Sequence, residues 1–362
     1  MTSLFTAFEL GDTSLSNRIV MAPMTRSRAD SATLVPTQAM QTYYEQRASA
    51  GLIISEGIVI SEMATGYINV PGLYTQEQIG AWSNVTQRVH AQGGKIFAQL
   101  WHVGRISHPD VLKGNLPLAP SAINANFFCF TQKGMTDTAT PKAMSIEEIQ
   151  QTINDFKQAA INAMAAGFDG VELHAANAYL LHQFLATSAN QRSDSYGGSV
   201  ENRARLLFEV LDAVVAAIGV ERTAIRLNPD LHRVVGIDVD DETRRTFEHV
   251  ITRLDSYALA YLHLTGFTIE ESGDPAQAIL DTARHYREVY RGSLMINGWL
   301  DRDRGNQAIA EGLADLVAYG RPFIANPDLV QRFQRDLPLA TADTTKFYEG
   351  GDSGFIDYPV AD

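Results

Sequence analysis

Three polar side chains stand close together in the middle of the chain. His174, Asn177 and Tyr179 lie within six residues, after an apolar run at 170–173 and before an apolar helical run ending at Leu185. Two donors three residues apart share one face of a turn and suit a carbonyl or nitro oxygen that gains negative charge. A phenol beside them is a suitable general acid once a carbanion develops. In the purely structural alternative, His174 and Asn177 are polar residues with hydrogen-bond partners at the start of a helix, and Tyr179 is a core tyrosine.

A second group of residues could bind an anion. Gly298 follows one predicted strand, and Gly320 with Arg321 stands at the end of the next one. Glycine lets backbone N–H groups approach a phosphate, and arginine adds a charge-assisted fork. The loops after the last two strands of a β/α barrel are a frequent phosphate site. An ordinary surface ion pair of Arg321, with glycines that only end strands, stays open as the alternative.

Composition argues against several other classes of site. The formal net charge is −13, and the chain has a single cysteine, Cys129. An acidic surface repels nucleic acid, and one cysteine forms neither an intrachain disulfide nor an iron–sulfur cluster. The predicted strand ends carry no carboxylate pair, no set of metal ligands and no lysine, which disfavours glycosidase, metal-assisted and Schiff-base chemistry. No apolar run approaches the ~18 residues that span a bilayer, so we expect a cytoplasmic location and no membrane partner.

Chemistry at several strand ends needs a scaffold that brings those ends together. Eight short apolar strands are predicted at residues 19–23, 52–61, 95–101, 170–173, 223–228, 259–266, 293–298 and 316–321. They alternate with eight helices, which indicates a parallel sheet. Eight such units favour a closed (β/α)8 TIM barrel, formed as a single domain over residues 1–362.

Two segments fall outside the alternation. Residues 3–17 are predicted to form a β-hairpin with its turn at Gly11. Residues 102–144 have no sustained period, and we expect a long loop excursion after the third strand, because long irregular connections are usually binding loops or lids. Ser145 and Glu148 then form a capping box that begins the next helix.

The C-terminal ends of barrel strands carry active-site residues. Besides the two groups above, the predicted strand ends carry Pro23, Met24, Thr25, Gly57, Gln99, Trp101 and Arg226. These residues add hydrogen-bonding, aromatic and cationic groups, but not the parts of a hydrolytic dyad or of a metal-assisted mechanism.

The chain resembles the Old Yellow Enzyme family of FMN-dependent ene-reductases along nearly its whole length. The resemblance lies in six segments that occur in the family's order: NRIVMAPMTR (17–26), AQLWHVGR (98–105), GFDGVELHAANAYLLHQFL (167–185), YGGSVENRAR (196–205), YGRPFIANPDL (319–329) and FYEGGDSGFIDYP (347–359). Thr25 stands where a subgroup of the family has threonine rather than cysteine. Ala178 stands where the family usually has glycine.

The resemblance implies a (β/α)8 barrel that holds FMN non-covalently, with the N-terminal hairpin as a lid on its bottom. Thr25 is expected to hydrogen-bond the flavin C4 oxygen. Gln99 and Arg226 are expected to face the pyrimidine edge, where a cation stabilises reduced flavin. The other residues expected in the FMN site are Pro23, Met24, Gly57, Gly298, Trp299, Gly320 and Arg321, the last four at the phosphate.

The resemblance also implies roles on the substrate side. His174 and Asn177 match the pair that binds the activating oxygen of the substrate, and Tyr179 matches the proton donor. The aromatic positions expected to line the substrate face are Tyr67, Trp101 and Tyr348. The implied reaction transfers hydride from NADPH or NADH to the flavin, and then to an α,β-unsaturated carbonyl or nitro compound.

Two other functions stay open from the sequence. One is a barrel enzyme like the FMN-dependent 2-hydroxy-acid oxidases, although that chemistry needs a histidine base with an arginine clamp on a carboxylate. The other is a flavin-binding protein without catalysis. The expected partners are therefore a small electron-poor alkene or nitro compound and a nicotinamide reductant. The chain is expected to act as a monomer or a homodimer.

Overall fold

A small β-hairpin at the start of the chain covers one end of a barrel. A computed structural model describes residues 2–266 and 273–361. Strands β1 (Phe8–Leu10) and β2 (Thr13–Leu15) pair antiparallel around Gly11, whose φ is +58°. Leu10 and Leu15 pack in one cluster with residues from the starts of barrel strands, among them Phe97. The predicted hairpin is confirmed, and it closes the N-terminal end of the barrel.

The other strands of these described residues form a closed parallel barrel and two small sheets. They are β3 (Ile19–Met21), β4 (Leu52–Val59), β5 (Ile96–Trp101), β6 (Leu118–Ala119), β7 (Phe128–Thr131), β8 (Gly134–Asp137), β9 (Lys142–Ala143), β10 (Gly170–Ala175), β11 (Thr223–Leu227), β12 (Leu262–Thr265), β13 (Leu294–Asn297) and β14 (Leu316–Tyr319). The barrel closes in the order β10-β11-β12-β13-β14-β3-β4-β5. Its strands are buried on both faces, which explains their continuous apolar runs. The predicted (β/α)8 barrel is confirmed.

The described residues contain ten α-helices rather than the eight predicted. They are α1 (Gln38–Glu45), α2 (Gln76–Ala91), α3 (Ile146–Ala165), α4 (Leu180–Leu185), α5 (Val200–Ile218), α6 (Asp241–Leu254), α7 (Pro275–Arg287), α8 (Arg302–Ala310), α9 (Arg321–Ala325) and α10 (Leu329–Arg335). The predicted capping box of α3 is confirmed: the Ser145 hydroxyl accepts from the Glu148 N–H at 3.2 Å, and the Glu148 carboxylate accepts from the Ser145 N–H at 2.8 Å.

Residues 102–144 form the predicted excursion after the third barrel strand, and they contain short strands of their own. β6 and β9 pair in parallel near its two ends, while β7 and β8 form an antiparallel hairpin. Lys133 in the turn of that hairpin lies 2.8 Å from the carboxylate of Asp110, which ties the hairpin to the preceding loop.

The last barrel strand is shorter than predicted. β14 ends at Tyr319, and Arg321 begins helix α9 with Pro322 in its first turn. The prediction of a strand continuing to Arg321 is therefore wrong. Proline has a fixed φ and no N–H, so it fits the first turn of a helix, where that N–H has no intrahelical partner. Arg321 consequently extends from a helix start rather than from a strand.

Candidate active site

His174 lies at the C-terminal end of β10, almost fully buried and in register with Arg226 on β11. The backbone N–H of Ala176 donates to Nδ1 of His174 at 3.4 Å. This contact assigns the proton of the neutral ring to Nε2, because Nδ1 then acts as acceptor. Burial, with a smaller contribution from Arg226, lowers the pKa of His174 well below its ordinary value. The ring is therefore a neutral donor at physiological pH.

The turn after β10 places Asn177 and Tyr179 beside this histidine. Asn177 and Ala178 both have left-handed backbone conformations, with φ of +53° and +64°. Asparagine adopts this conformation readily, but for alanine the Cβ makes it unfavourable by about 1–2 kcal/mol. A glycine at position 178, usual in the family that the chain resembles, would adopt it without that strain. Tyr179 then stands at the N-cap of α4.

An amide on the neighbouring strand end contacts Asn177. Nδ2 of Asn228, the residue after β11, donates to Oδ1 of Asn177 at 3.5 Å. With its oxygen engaged, Asn177 presents its own N–H2 group as a donor elsewhere. Asn228 is fully buried, so its orientation is fixed by packing.

Tyr179 lies in an aromatic enclosure made by two predicted substrate-side residues. Its hydroxyl donates to the Tyr67 hydroxyl at 3.5 Å, and its ring meets Trp101 edge-on at a centroid distance of 4.9 Å. The Tyr67 ring stacks on Trp101 at a centroid distance of 5.6 Å. Burial raises the pKa of Tyr179 to about 12. Its phenol therefore keeps its proton over the whole physiological range.

The position of the Trp101 side chain explains why β4 has a glycine at residue 57. A Cβ on Gly57 would lie 2.6 Å from Cε3 of the Trp101 indole, a separation shorter than the contacts that Cβ atoms make in proteins. The β4–β5 register shifts between Ile54 and Gly57, so the strand is irregular at this point. Gly57 therefore leaves room for the Trp101 side chain beside β4, and its expected contact with the cofactor stays a prediction.

Polar side chains inside the barrel hold the predicted cofactor residues Gln99 and Arg226. Nε2 of Gln99 donates to a carboxylate oxygen of Glu172 at 2.7 Å. Arg226 donates from one terminal nitrogen to the side chains of Thr265 and Asn297, each at 3.0 Å. Its Nε is buried and has no hydrogen-bond partner among the described residues. A buried guanidinium with an unused donor is suited to an anionic or carbonyl-rich ligand.

The predicted phosphate residues lie at the ends of β13 and β14. Trp299 has a φ of +55° and is 58% exposed, and the guanidinium of Arg321 lies 4.4 Å from the centre of its ring. Within residues 2–266 and 273–361, Arg321 has no carboxylate partner. A Cβ on Gly298 would lie 3.3 Å from Cβ of Ile279 and 3.4 Å from the backbone nitrogen of Gly266, so a side chain there would be in tight contact with Ile279. An exposed arginine without a carboxylate partner among the described residues, next to two strand ends that carry glycine, fits a phosphate group.

The end of β3 approaches this group from the other side. Pro23, Met24 and Thr25 follow the strand directly, and Met24 Sδ lies 3.5 Å from where a Cβ of Gly320 would stand. The Thr25 hydroxyl makes no hydrogen bond to another residue in the described parts of the chain. It therefore keeps its full capacity for a ligand.

The C-terminal tail brings Tyr348 to the edge of the barrel mouth. Arg26 and Arg28 hold this tail by donating to its backbone carbonyl groups, including those of Phe347 and Gly354. Tyr348 is 57% exposed, and its ring lies 6.5 Å from that of Phe130 on the β7–β8 hairpin. Tyr348 is thus exposed, whereas Tyr67 is partly buried and Trp101 is almost fully buried.

Several residues of this site were not identified from the sequence. They are Glu172, His263, Asn228, Thr265, Asn297, Arg26 and Arg28. Glu172 carried a usable signal, because a carboxylate inside an apolar barrel strand is rarely buried without a partner. In the described parts of the chain, no group of three or more metal-ligand side chains converges, and no helix has the length and apolarity to cross a bilayer.

Residues 3–340 match the family described as NADH:flavin oxidoreductase / NADH oxidase. The 12-oxophytodienoate reductase 1 of Oryza sativa subsp. japonica is 42% identical over 366 residues, covering 98% of this chain and 92% of that protein. The structure of morphinone reductase in complex with tetrahydroNAD has a TM-score of 0.93 at 45% identity, covering 100% of this chain and 98% of the other. The old yellow enzyme homologue from Zymomonas mobilis (NCR) has a TM-score of 0.93 at 40% identity, covering 99% and 100%.

These similarities extend over nearly the full length of each protein, so they include the barrel, the excursion after its third strand and the described site. They favour an ene-reductase over a hydroxy-acid oxidase or a non-catalytic flavin-binding protein. The chain therefore belongs to the NADH:flavin oxidoreductase / NADH oxidase family, and it is an FMN-dependent NAD(P)H ene-reductase of the Old Yellow Enzyme type.

Proposed function

We propose that this enzyme reduces small α,β-unsaturated carbonyl compounds or nitroalkenes, and that His174, Asn177 and Tyr179 are its catalytic residues. The observation that carries the proposal is the convergence of three groups at the end of β10. These are a neutral histidine protonated on Nε2, an asparagine whose oxygen is already engaged, and a protonated phenol. Two donors and an acid are what an alkene conjugated to an oxygen-bearing group requires.

His174 and Asn177 bind the activating oxygen of the substrate in this proposal. Their N–H groups contribute most when that oxygen gains negative charge, since hydrogen bonds to charged acceptors are about twice as strong as neutral ones. Interactions that strengthen in the transition state accelerate the reaction, whereas equal binding of the ground state does not. Because burial keeps His174 neutral, the pair adds no full positive charge that would hold an anionic product.

Tyr179 donates the proton to the substrate carbon next to the activating group. A phenol with a pKa of about 12 is fully protonated at neutral pH and acidic enough to protonate a carbanion. The single proton of the Tyr179 hydroxyl lies on the long 3.5 Å bond to Tyr67, and it turns from Tyr67 to the substrate carbon for the transfer. Tyr67 and Trp101 line the substrate face, and Tyr348 forms its outer rim.

The residues around the barrel mouth fit FMN. Among the described residues, Arg226 has a buried N–H without a hydrogen-bond partner, the Thr25 hydroxyl makes no hydrogen bond, and Arg321 has no carboxylate partner. We propose that Thr25, Gln99 and Arg226 bind the flavin ring. Pro23, Met24 and Gly57 lie at its edge, and the phosphate group is held by Gly298, Trp299, Gly320 and Arg321. When bound, FMN supplies the hydride that it receives from NADPH or NADH.

The remaining proposals concern the setting of the enzyme. A single, buried cysteine, Cys129, fits a reducing compartment, which supports a cytoplasmic location. We also propose that all of residues 1–362 act as one domain, as a monomer or a homodimer. A size measurement in solution by light scattering decides between the two assemblies.

An absorbance spectrum of the purified enzyme under anaerobic conditions tests the function. NADPH should bleach the flavin band, and 2-cyclohexenone should then restore it. A band restored by oxygen but by neither cyclohexenone nor a nitroalkene would contradict the proposed substrate class. A protein that takes up no FMN on reconstitution would contradict the proposed cofactor residues.

A further inference from the structure

We propose that Glu172 is a positioning residue beneath the flavin site, which orients Gln99 and offsets the charge of Arg226, and thereby sets the reduction potential of bound FMN. The inference rests on the proposed placement of the flavin over Gln99 and Arg226. Glu172 itself lies on β10, two residues before His174, and has no part in the reaction proposed above.

Glu172 is held from both sides inside the barrel. It is fully buried, and its Oε1 accepts from Nε2 of Gln99 at 2.7 Å. Its Oε2 accepts from Nδ1 of His263 on β12 at 2.8 Å, and His263 is fully buried too. Both carboxylate oxygens are thus engaged by side chains from the two flanking parts of the barrel, so the carboxylate has one defined position.

The carboxylate is ionised. Burial by itself opposes ionisation, but the hydrogen bonds from His263 and Gln99 and the positive charge of Arg226 together lower the pKa of Glu172. Burial also lowers the pKa of His263, so its ring is neutral and donates its Nδ1 proton. Among the described residues, Glu172 and Arg226 therefore carry opposite full charges in this part of the barrel. Opposite charges in a buried, low-dielectric region interact strongly.

A carboxylate accepts hydrogen bonds and donates none when ionised, and this fixes the Gln99 amide. The amide must direct its N–H2 group at Glu172, which leaves its carbonyl oxygen to act as an acceptor. The backbone N–H of Gln99 is fixed as well, by the Ser55 hydroxyl at 3.0 Å. Gln99 can therefore offer its carbonyl oxygen to a flavin ring N–H, and the second N–H of its amide stays available as a donor.

Arg226 would stabilise reduced, negatively charged flavin more strongly if no anion lay near it. Glu172 partly neutralises that field. Removing its charge should therefore raise the reduction potential of FMN, whereas removing the charge of Arg226 should lower it. Opposite shifts of the reduction potential in the two variants indicate an electrostatic role. A general loosening of the barrel would not be expected to shift the potential upward in one variant and downward in the other.

The test is potentiometric titration of FMN-loaded Glu172→Gln, Arg226→Gln and a control, Glu201→Gln. Glu201 lies on the surface in the first turn of α5, so this control removes the same charge far from the barrel interior. We expect Glu172→Gln to favour reduced FMN at least tenfold, an upward shift of about 30 mV for a two-electron couple. The control should leave the potential unchanged.

Glu172→Asp is a second variant, and the protein does not have to fold around a neutral side chain at this position. It keeps the charge but is too short to contact both Gln99 and His263. It should weaken FMN binding at least fivefold, measured by fluorescence of released flavin, with little change in potential. Unchanged FMN affinity would overturn the orienting role, and this arm decides the matter if Glu172→Gln does not fold.

The outcomes separate this inference from the proposed site. If Arg226→Gln lowers the potential and Glu172→Gln leaves it unchanged, the inference on Glu172 is wrong and the flavin placement stands. If neither substitution changes the potential, the placement of FMN over Gln99 and Arg226 is wrong. A rise with Glu172→Gln and a fall with Arg226→Gln supports both.

Discussion

Nδ2 of Asn228 lies 3.5 Å from Oδ1 of Asn177, and the bond between them joins the ends of two adjacent barrel strands. An amide side chain presents a donor or an acceptor depending on which way it is turned. This bond selects the donor, so Asn177 can act together with the Nε2–H of His174. The oxygen-binding pair proposed above therefore depends on a third residue that does not belong to it.

Asn228→Asp should uncouple the pair. The ionised carboxylate that this substitution introduces has no N–H to donate, so the Asn177 amide would turn its N–H2 group towards the carboxylate and lose its donor for the substrate. We expect the KM for 2-cyclohexenone to rise about tenfold, the free-energy equivalent of one hydrogen bond. Asn115→Asp, in an exposed loop, is the matched control. An unchanged KM in the Asn228 variant would contradict this positioning role.

Tyr179→Phe should separate the two half-reactions. Only the alkene step needs a proton from this phenol, so stopped-flow measurement should find flavin reduction by NADPH nearly intact and alkene reduction slowed about 10²-fold or more. Since the pKa of Tyr179 is raised to about 12, the wild-type alkene step should keep a constant rate from about pH 6 to about pH 10. Equal losses in both half-reactions would refute the assignment of the proton donor.

Local sequence patterns predicted the barrel and the end of β10 well, because both depend on neighbouring residues. Apolar runs that alternate with helical periods follow directly from burial, and His174 and Asn177 lie within one turn of each other. The residues that hold this site in place depend on closure of the barrel. Gln99 and His263 reach Glu172 across separations of 73 and 91 residues, which no local pattern reveals.

The left-handed turn and the Gly57 packing escaped prediction for a related reason. Ala178 has a backbone conformation that its side chain disfavours, so residue preference pointed away from it. The contact of Gly57 with the Trp101 indole depends on pairing of adjacent strands, which no local pattern reveals, and its expected contact with the cofactor stays a prediction. The expected roles of the individual site residues stay predictions until they are measured.

Gly57→Ala should disturb the substrate face, because the added methyl group would overlap the Trp101 indole. Overpacking of this kind costs about 1–3 kcal/mol, and a displaced Trp101 would also move the ring against which Tyr179 packs. We expect a lower melting temperature and slower alkene reduction. Gly80→Ala is the matched control, since nothing lies within 4 Å of its Cβ and the position is within α2. There alanine should stabilise the helix by about 0.5–1 kcal/mol. Similar effects at both positions would contradict the packing argument.

Arg28→Lys should loosen the C-terminal tail. The guanidinium donates to the carbonyl oxygens of Lys346, Phe347, Glu349 and Gly351, a set of contacts that a single ammonium group cannot reproduce. Tyr348 lies within this clamped segment, so we expect a higher KM for bulky enones and faster proteolysis of the tail. Arg222→Lys, at an exposed ion pair with Asp12, is the control. Unchanged proteolysis of the Arg28 variant would show that the tail is held by other contacts.

Glu56 should make the stability of the protein depend on pH. This residue follows Ser55 on β4, is almost fully buried, and its Oε2 has no hydrogen-bond partner among the described residues. Burial, only partly offset by Arg26 and by the Tyr44 hydroxyl, raises the pKa of Glu56 to about 7. A folded pKa above the unfolded value means that the folded protein binds this proton more tightly. The contribution is thus complete below the ordinary glutamate pKa and is lost as the pH rises through about 7.

The size of this effect is at most about 3 kcal/mol between about pH 4.5 and about pH 8. Urea unfolding of the FMN-loaded protein at both ends of that range measures it. Glu56→Gln cannot titrate, so its free energy of unfolding should fall less than that of the wild type as the pH rises. Glu62→Gln, an exposed carboxylate in the following turn, should keep the wild-type slope. Because Arg26 and Arg28 lie near Glu56, their positive charges act to lower its pKa. If they dominate, Glu56→Gln would retain the full slope and Glu56 would be ionised in the folded enzyme.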